Sequence, residues 1–384
     1  MDFFESNPTV PNNHYMPYAR HINTLRHMSP YKITTLLIAM FFFLSACNSE
    51  VVEKEYDPVE IVVVQDEQRI DVRVDGNLFT SYTFTDTLPA LNRPVLYPVY
   101  TSRNSKVTRG YPVSPRAGER ANYPNQIGLW LGHGDVNGVD FWNSGNPAAK
   151  DGSFGSIQHH SITSTSSGQQ EGVIEVEKRW VSDEGKHLLT EQTRYVFRAH
   201  DRYRSIDCFM TLTAEEARVT MKGNSEGFIA FRAGEALELP LELSEDEMIL
   251  IIDENGQPRE ASAGPDSRNG VFINSENRRD LETHGLQANW LSLSAIIKFE
   301  PATVAIFDHP DNPGSPPYWN VQSYGLFSSN PFGGQIHGDG GESQDLILDA
   351  GESVTFRYRI VIEADLLPAS DLNAYYQTFV QKTY

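Results

Sequence analysis

The stretch from Val173 to Leu212 reads VIEVEKRWVSDEGKHLLTEQTRYVFRAHDRYRSIDCFMTL and contains three strand-like runs joined by polar turns. Within the runs, apolar side chains often alternate with polar ones, a period of two that is typical of β-strands with one buried face. Asp183-Glu184-Gly185 separates the first two runs with residues that favour turns. The stretch therefore predicts consecutive antiparallel strands.

Similar runs recur along most of the chain, between clusters of Gly, Asn, Asp and Pro that favour turns. One convincing helix is indicated, from Asp371 to Val380, with Ser370 as its N-cap. Many short strands with few helices predict an all-β fold, a large antiparallel β-sandwich of the supersandwich type. The further strand-like runs are Glu60–Val64, Ile70–Val74, Leu78–Phe84, Val95–Tyr100, Phe228–Phe231, Met248–Ile252, Trp290–Phe299, Thr303–Phe307 and Val354–Ile362.

The N-terminal segment has a different character. Residues 33–44 read ITTLLIAMFFFL, an apolar run that basic residues precede and Leu44-Ser45-Ala46-Cys47 follows. The run is too short for a membrane span, which needs about 20 residues, and its setting predicts a secretory signal over residues 1–46. Its end resembles a bacterial lipobox, in which Cys47 becomes the lipidated first residue. An ordinary signal with an incidental cysteine is the alternative, and an internal start at Met28 stays open.

Residues 47–58 are predicted to form a tether, after which no linker interrupts the chain. We therefore expect a single β-sandwich domain over residues 59–384, although length alone would also allow two domains. Asn48 rather than aspartate follows Cys47, which favours sorting to the outer membrane, facing the periplasm or the cell surface. The membrane is then a partner only through the lipid anchor.

Composition excludes several classes of protein. The chain has 384 residues, of which 39% are hydrophobic and 11% aromatic, as in globular proteins. A net charge of -20 argues against nucleic acid as a partner, because phosphate binding needs a basic surface. Two cysteines exclude a disulfide scaffold and a zinc ribbon. Cys208 lies in a strand-like run and is predicted to be a small buried residue, with a nucleophile as the alternative.

Three irregular segments carry much of the polar and aromatic chemistry: residues 111–142, 155–160 and 306–332. The first contains GLW at 128–130 and HGDVNGVDFW at 133–142, and the third contains FDHP at 307–310 and YW at 318–319. Exposed loops on a rigid scaffold are where function concentrates. We expect these loops, which lie far apart in sequence, to meet at one concave mouth of the β-sandwich.

These motifs resemble the bacterial PmoA-like family, whose members are labelled methane oxygenase PmoA. The resemblance spans roughly residues 68–365 and implies a β-sandwich found near sugar-degrading genes, with mostly unknown chemistry. It does not imply methane oxidation, which needs membrane helices and copper, because no segment of the mature chain could span a bilayer. The residues that carry it are Gly128–Trp130, His133–Trp142, Phe307–Pro310, Tyr318-Trp319, Tyr324–Phe327 and Asn330–Gly333.

One stretch departs from the family pattern. Before Gly-Leu-Trp the family often reads Asp-His-Pro-His-His/Gln, whereas residues 122–126 here read NYPNQ. Two or three imidazoles are therefore missing. If those histidines serve a metal or proton transfer in relatives, this chain does it differently or not at all.

Candidate catalytic residues are those whose side chains transfer protons near neutral pH. His133 in HGDVNG is one, and His159, which matches the family pattern Gly-x-Ile-x-His, is another. Asp308 and His309 end an apolar strand and could form an acid–base pair, with Arg116 as a cationic helper. The structural alternatives are a loop-ordering histidine, a turn built by Asp308, and a solvated surface arginine.

Candidate substrate-binding residues combine flat rings with polar groups. The aromatic side chains of the motifs suit sugar rings, although packing in the core is the common role of such residues. The polar residues of HGDVNGVD could contact a ligand or order the loop. The candidates are Trp130, Asp135, Asn137, Asp140, Trp142, Tyr318 and Trp319.

A metal site is the weaker alternative. Zinc could take its ligands from His133, Asp135, His159 and His309, but no tight spacing such as His-x-His supports this, and calcium on the acidic loops is an equal alternative. We therefore predict no cofactor.

Together these observations favour an envelope lipoprotein that acts on an oligosaccharide or polysaccharide, by elimination as in a lyase or dehydratase. His133 or His159 would be the base, Asp308 or His309 the acid, and Arg116 would stabilise negative charge. Hydrolysis is less favoured because no pair of carboxylates stands out. A non-catalytic glycan-binding lipoprotein and a structural envelope protein are the alternatives. The first hypothesis requires His133, His159 and His309 to converge around a cleft.

Overall fold

The computed structural model describes residues 56–64, 67–240, 248–262, 267–337 and 345–382. Its helices are α1 (Gly334–His337) and α2 (Ala369–Val380), and short 3-10 turns lie at Glu235–Leu237 and Asp280–Thr283. The strands, in chain order, are β1 (Val59–Val64), β2 (Arg69–Val74), β3 (Asn77–Thr83), β4 (Val95–Val99), β5 (Leu129–Leu131), β6 (Val139–Asp140), β7 (Ser153–Phe154), β8 (Ser156–Ser166), β9 (Gly172–Val181), β10 (His187–His200), β11 (Tyr203–Ala214), β12 (Val219–Met221), β13 (Ile229–Arg232), β14 (Met248–Ile252), β15 (Pro258–Ser262), β16 (Val271–Asn274), β17 (Trp290–Ile297), β18 (Glu300–Asp308), β19 (Tyr318–Gln322), β20 (Leu326–Asn330), β21 (Leu346–Leu348) and β22 (Ser353–Glu363).

Two antiparallel sheets of eight strands form the body. The first has the order β1-β2-β3-β4-β5-β13-β20-β19, and the second has the order β16-β17-β18-β22-β11-β10-β9-β8. The three long strands predicted from the opening stretch pair as consecutive hairpins, with Tyr195 of β10 opposite Ile174 of β9 and Cys208 of β11. The prediction of a large antiparallel β-sandwich is confirmed.

The main core lies between the two sheets, because alternate residues of each strand point inward. Leu129 and Phe231 of the first sheet belong to the same buried cluster as Ile306 and Ile360 of the second. Cys208 also lies in this cluster and is fully buried, and burial raises the pKa of its thiol. The prediction of a small buried residue at this position is confirmed.

Each sheet also has an apolar outer face. The intervening residues of β5, β13 and β4 point away from the main core, and Trp130 and Ala230 there pack with Trp142 from a loop. On the second sheet, Trp290 and Phe307 pack under α2. The loops and α2 therefore add a layer outside each sheet.

Several local predictions need correction. Ser370 is not the N-cap of the C-terminal helix, because α2 begins at Ala369 with Pro368 in the capping position. The strand β8, which runs from Ser156 to Ser166, was also not predicted from the sequence. Its polar outer residues hid this strand, since β8 lies at the edge of its sheet.

The signal, Cys47 and most of the tether lie outside the described residues, so the division of the chain into signal, tether and domain stays a prediction. Among the residues that the structure describes, no helix is both long enough and apolar enough to cross a membrane.

Candidate functional site

A concave site of about 330 Å³ opens beside the edge of the first sheet, and we call it the polar cleft. Side chains from distant parts of the chain line it, and each of them carries an amide, hydroxyl, carboxyl or imidazole group. They are Tyr123, Gln126, Asn143, Ser225, Glu226, His284, Asn320, Gln322, Tyr324 and His337.

The edge strand β19 supplies one wall. Trp319 and Val321 point into the main core, so Asn320 and Gln322 point to the opposite face, where the cleft lies. The Asn320 amide Nδ2 donates to the Glu226 carbonyl oxygen at 2.7 Å, and Gln322 Nε2 donates to Asn320 Oδ1 at 2.8 Å. These bonds fix the amide groups and the backbone of Glu226 before any ligand arrives.

Glu226 is the only carboxylic acid among the described lining residues of the cleft. Burial, and then the charge of Asp140, raise the pKa of its carboxyl, while a hydrogen bond from Asn143 opposes the shift. Asp140 accepts hydrogen bonds from the Asn143 backbone N–H at 2.9 Å and from Asn143 Nδ2 at 2.9 Å. Asp140 therefore holds Asn143 in place and keeps a second negative charge behind Glu226.

Two imidazoles meet at the other side of the cleft. The rings of His284 and His337 contact each other edge to face, with centroids 5.2 Å apart. His284 Nδ1 accepts from the Val321 backbone N–H at 3.1 Å, so the neutral ring carries its proton on Nε2. Burial and then the neighbouring His284 lower the pKa of His337. Both effects favour the neutral form of the His337 imidazole.

Two tyrosines form an aromatic lip. The rings of Tyr123 and Tyr324 lie 5.5 Å apart and inclined by 30°. The guanidinium of Arg232, which is fully buried, lies 4.6 Å from the Tyr324 ring on the side of the protein interior. Burial raises the pKa of Tyr324 to about 12, with the Arg232 charge acting in the opposite direction. Tyr324 therefore stays protonated and can donate a hydrogen bond.

Some predicted site residues support this cleft without lining it. Trp130 and Trp142 are buried, with ring centroids 5.6 Å apart, in the outer layer of the first sheet. Tyr318 stacks on His337 at 6.0 Å. Trp319 is buried in the main core and donates from Nε1 to the Ala288 carbonyl oxygen at 2.9 Å. Because the rings of Trp130, Trp142 and Trp319 are buried, they offer no exposed surface for the ligand contact expected from the sequence.

The HGDVNG motif is an ordered turn. His133 is fully buried against Phe332, and its Nε2 lies 2.8 Å from the Lys222 carbonyl oxygen. Asp135 Oδ1 accepts from the Gly138 N–H at 2.8 Å, and Asn137 Oδ1 accepts from the Thr220 N–H at 2.8 Å. The motif thus ties two segments together, which is the structural alternative to a ligand contact.

The other predicted catalytic residues occupy separate places. His159 lines another cleft, of about 380 Å³, where its ring lies 3.9 Å from that of Phe84 and its Nδ1 lies 3.1 Å from the Tyr82 hydroxyl. Burial lowers the pKa of His159 to about 4. Arg116 lines a third cleft and is bound to Glu119, with its Nε 2.8 Å from Oε1.

Asp308 and His309 lie at the end of β18 on the side of the second sheet. Asp308 is buried and accepts from Asn312 Nδ2 at 2.8 Å, and burial raises its pKa to about 7. The His309 ring packs against Phe379 of α2 at 5.2 Å. The three imidazoles of His133, His159 and His309 share no neighbour among these contacts, so the expected common mouth does not form from them.

No group of three or more His, Cys, Asp or Glu side chains within the described ranges is arranged to hold a metal ion. The set His133, Asp135, His159 and His309, considered for zinc, is dispersed over the fold as described above.

Sequence reasoning missed Glu226, His284 and His337. Glu226 lies three residues before β13, His284 follows a 3-10 turn, and His337 ends α1. The available signal was their position at the ends of short strands or turns. Tyr123, Gln126 and Tyr324 belong to stretches that the sequence analysis quoted, but none was selected as a site residue.

Comparison with known proteins adds a family and a set of remote structural likenesses. The family model described as "Family of unknown function (DUF6807)" matches residues 69–377. No curated protein sequence matches the chain. The expected membership of the PmoA-like family is wrong, because the matching model is that of DUF6807. The shared Gly, His, Asp and Trp motifs describe turns and packing, so they did not specify that family.

Several of the similar solved structures are larger proteins. The galactosidase domain of the alpha-galactosidase-sucrose kinase AgaSK is 8% identical, with 81% of this chain and 42% of that chain covered and a TM-score of 0.36. The α-galactosidase AgaB from Geobacillus stearothermophilus is 9% identical, with 80% and 41% covered and a TM-score of 0.36. A β-arabinopyranosidase is 12% identical, with 79% and 38% covered and a TM-score of 0.28. The chain spans about two fifths of the length of these proteins.

Proposed function

The chain belongs to DUF6807, a family of unknown function, and we propose that it binds carbohydrate in the polar cleft and carries out acid–base chemistry there. One observation carries the proposal. A carboxyl with a raised pKa, two imidazoles, four side-chain amides and two tyrosine rings line the same concave site.

The lining suits a sugar because a sugar offers many hydroxyl groups and a weakly apolar ring face. The amides of Gln126, Asn143, Asn320 and Gln322 provide both donors and acceptors for hydroxyl groups. Tyr123 and Tyr324 provide ring surface with a polar edge. A few fixed polar groups around an aromatic surface are typical of small-molecule sites.

Acid–base chemistry follows from the titrating groups. A carboxyl whose pKa is raised exchanges its proton closer to neutral pH, which is what a general acid or base needs. We assign to Glu226 the transfer of one proton, and to His284 or His337 the transfer of the complementary proton. Asp140 and Asn143 act as positioning residues through their hydrogen bonds.

Elimination is the reaction expected from the sequence. The cleft contains groups that could serve as its acid and base, but it does not contain Arg116, the residue expected to stabilise negative charge. Arg116 lines a different cleft and is bound to Glu119. We therefore propose proton transfer at an oxygen or carbon of the sugar, with neutral donors such as Tyr324 and the amides stabilising developing charge. A product with ultraviolet absorbance from an unsaturated sugar would identify elimination.

The test is the conservative variant Glu226→Gln. It should keep its affinity for an oligosaccharide within a few fold and lose turnover by about 100-fold or more, because it retains the hydrogen bonds but not the proton transfer. Binding would be measured by calorimetry and turnover by product analysis after incubation with polysaccharide digests. Glu175→Gln on the opposite sheet is the matched control.

Three outcomes are distinguishable. A Glu226→Gln variant with wild-type turnover would remove Glu226 from the chemistry. Binding by the wild-type protein without any turnover would assign the cleft to glycan binding alone, which is the alternative function. If no oligosaccharide binds at all, the carbohydrate function itself is contradicted.

We also propose that the protein is an envelope lipoprotein, on the strength of residues 33–47 of the sequence. Mass spectrometry of the membrane fraction should find Cys47 as the first residue, carrying acyl chains. A mature N-terminus elsewhere, or an unmodified Cys47, would contradict this proposal.

A further inference from the structure

We propose that the polar cleft selects uncharged sugar residues and rejects uronates and sulfated sugars. This inference rests on the carbohydrate function proposed above and names its substrate class. The observation behind it is the distribution of charge around the cleft, where a carboxyl lines the surface and no described lining residue is basic.

The described lining of the cleft contains one residue of full charge, and it is acidic. Glu226 provides this carboxyl, and Asp140 adds a second negative charge immediately behind it. The remaining polar groups are amides, hydroxyls and imidazoles, and none of the described lining residues is lysine or arginine.

The buried guanidiniums near the cleft lie behind its surface, where Arg109 donates from Nη2 to the carbonyl oxygens of Tyr123 and Gln126 at 2.8 and 2.9 Å. Arg232 is fully buried behind the Tyr324 ring, and its Nη2 lies 3.7 Å from Glu238 Oε1. Arg93 is buried as well and donates from Nη2 to the Trp142 carbonyl oxygen at 2.7 Å. Arg93, Arg109 and Arg232 are all absent from the described groups that line the cleft.

An anionic sugar would therefore enter without a charged partner. Recognition of a carboxylate or sulfate normally uses arginine or lysine, because charge-assisted hydrogen bonds are about twice as strong as neutral ones. In this cleft the anion would instead meet Glu226 in a partly desolvated site, where like charges repel more strongly than in water. An uncharged hexose meets only amides, hydroxyls and rings, which satisfy its hydroxyl groups without that repulsion.

The experiment uses the full mature chain and pairs of oligosaccharides that differ only at C6, one a neutral hexose and the other the corresponding hexuronate. A glycan array first identifies the neutral member that binds, and calorimetric competition then measures how much uronate displaces it. Competition restricts the measurement to a shared site, so binding at the cleft of Lys106, Arg116 and Lys298 does not enter the result. We expect the uronate to need at least a tenfold higher concentration.

Two variants sharpen the result. The ratio of the uronate concentration to the neutral-sugar concentration needed for displacement should fall by threefold or more in Glu226→Gln, because this variant removes the repelling charge and keeps the shape. Lys298→Asn, in the separate cleft, should leave this ratio unchanged. A uronate or sulfated sugar that displaces the neutral partner at equal or lower concentration would overturn the inference. If no sugar of either kind binds, it is the proposed function that fails first.

Discussion

Lys178 Nζ lies 2.5 Å from Glu191 Oε1 inside the sandwich, and the two side chains are only 2% and 0% exposed. Trp180 Nε1 donates to Glu191 Oε2 at 2.9 Å, and the Thr193 hydroxyl donates to Oε1 at 2.6 Å. The pair thus satisfies its polar atoms within an apolar core. A buried ion pair of this kind makes each partner dependent on the other.

Lys178→Met should therefore lower the free energy of unfolding by about 3–5 kcal/mol, because it leaves the Glu191 carboxylate buried without a counter-charge. The double variant Lys178→Met/Glu191→Leu should recover much of the loss. Urea unfolding measures both. Arg194→Ala is the control, since its ion pair with Glu175 is about 40% exposed on both sides and should change stability by less than about 1 kcal/mol. If Lys178→Met proved as stable as Arg194→Ala, the prediction would be wrong.

His133 should make the protein less stable in mild acid. Burial lowers the pKa of His133 to about 4 from 6.5, so below pH 6.5 the unfolded chain binds a proton that the folded chain does not. Stability is then lost as pH falls from 6.5 towards 4. Between pH 7 and pH 5 the loss is about 2 kcal/mol, at 1.36 kcal/mol per pH unit.

The variant His133→Gln keeps an amide donor for the Lys222 carbonyl oxygen and does not titrate. Its free energy of unfolding, measured in urea at pH 7 and pH 5, should change less between the two than that of the wild type. His160→Gln, at an exposed position, should leave the wild-type change intact. Identical pH dependence in wild type and His133→Gln would contradict the prediction.

Asp308 should make the protein less stable as pH rises, which is the opposite of the effect of His133. Its carboxyl is buried, and burial raises its pKa from 3.8 to about 7. The folded chain holds this proton more tightly than the unfolded chain, so stability falls as pH rises from about 4 to about 7. Asp308→Asn keeps the shape of the protonated carboxyl. The free energy of unfolding of this variant, relative to that of the wild type, should therefore rise by about 3 kcal/mol between pH 5 and pH 8. Thermal unfolding across this range measures the gain, and a constant difference between the two proteins would disprove it.

The sheets were predictable because their signal is local. In β10 and β11, alternation of apolar and polar residues reports directly which side chains face the core, and the register follows from the short turn between them. The helix α2 was predictable for the same reason. The strand β8 was not, because a polar edge strand lacks an apolar face that would reveal its period.

The cleft was much harder to predict. The candidate residues came from dense motifs, but Trp130, Trp142 and His133 of those motifs are buried. Aromatic and glycine-rich motifs are equally typical of tight packing and of binding sites, so their composition alone does not separate the two roles. Glu226, His284 and His337 come together only through the pairing of β13, β20 and β19, which sequence periodicity does not encode.

Packing of the tryptophans in the outer layer of the first sheet fixes the loop that follows Trp142. With Trp142 packed on Trp130 and its carbonyl oxygen bonded by Arg93 and Asn125, the adjoining loop is immobilised as the chain folds. Under the proposed function, Asn143 would need no rearrangement when a sugar binds, and complex formation would lose little conformational entropy. Under the same proposal, substitutions at the aromatic lip of Tyr123 and Tyr324 would change which sugar binds while the scaffold beneath stays the same.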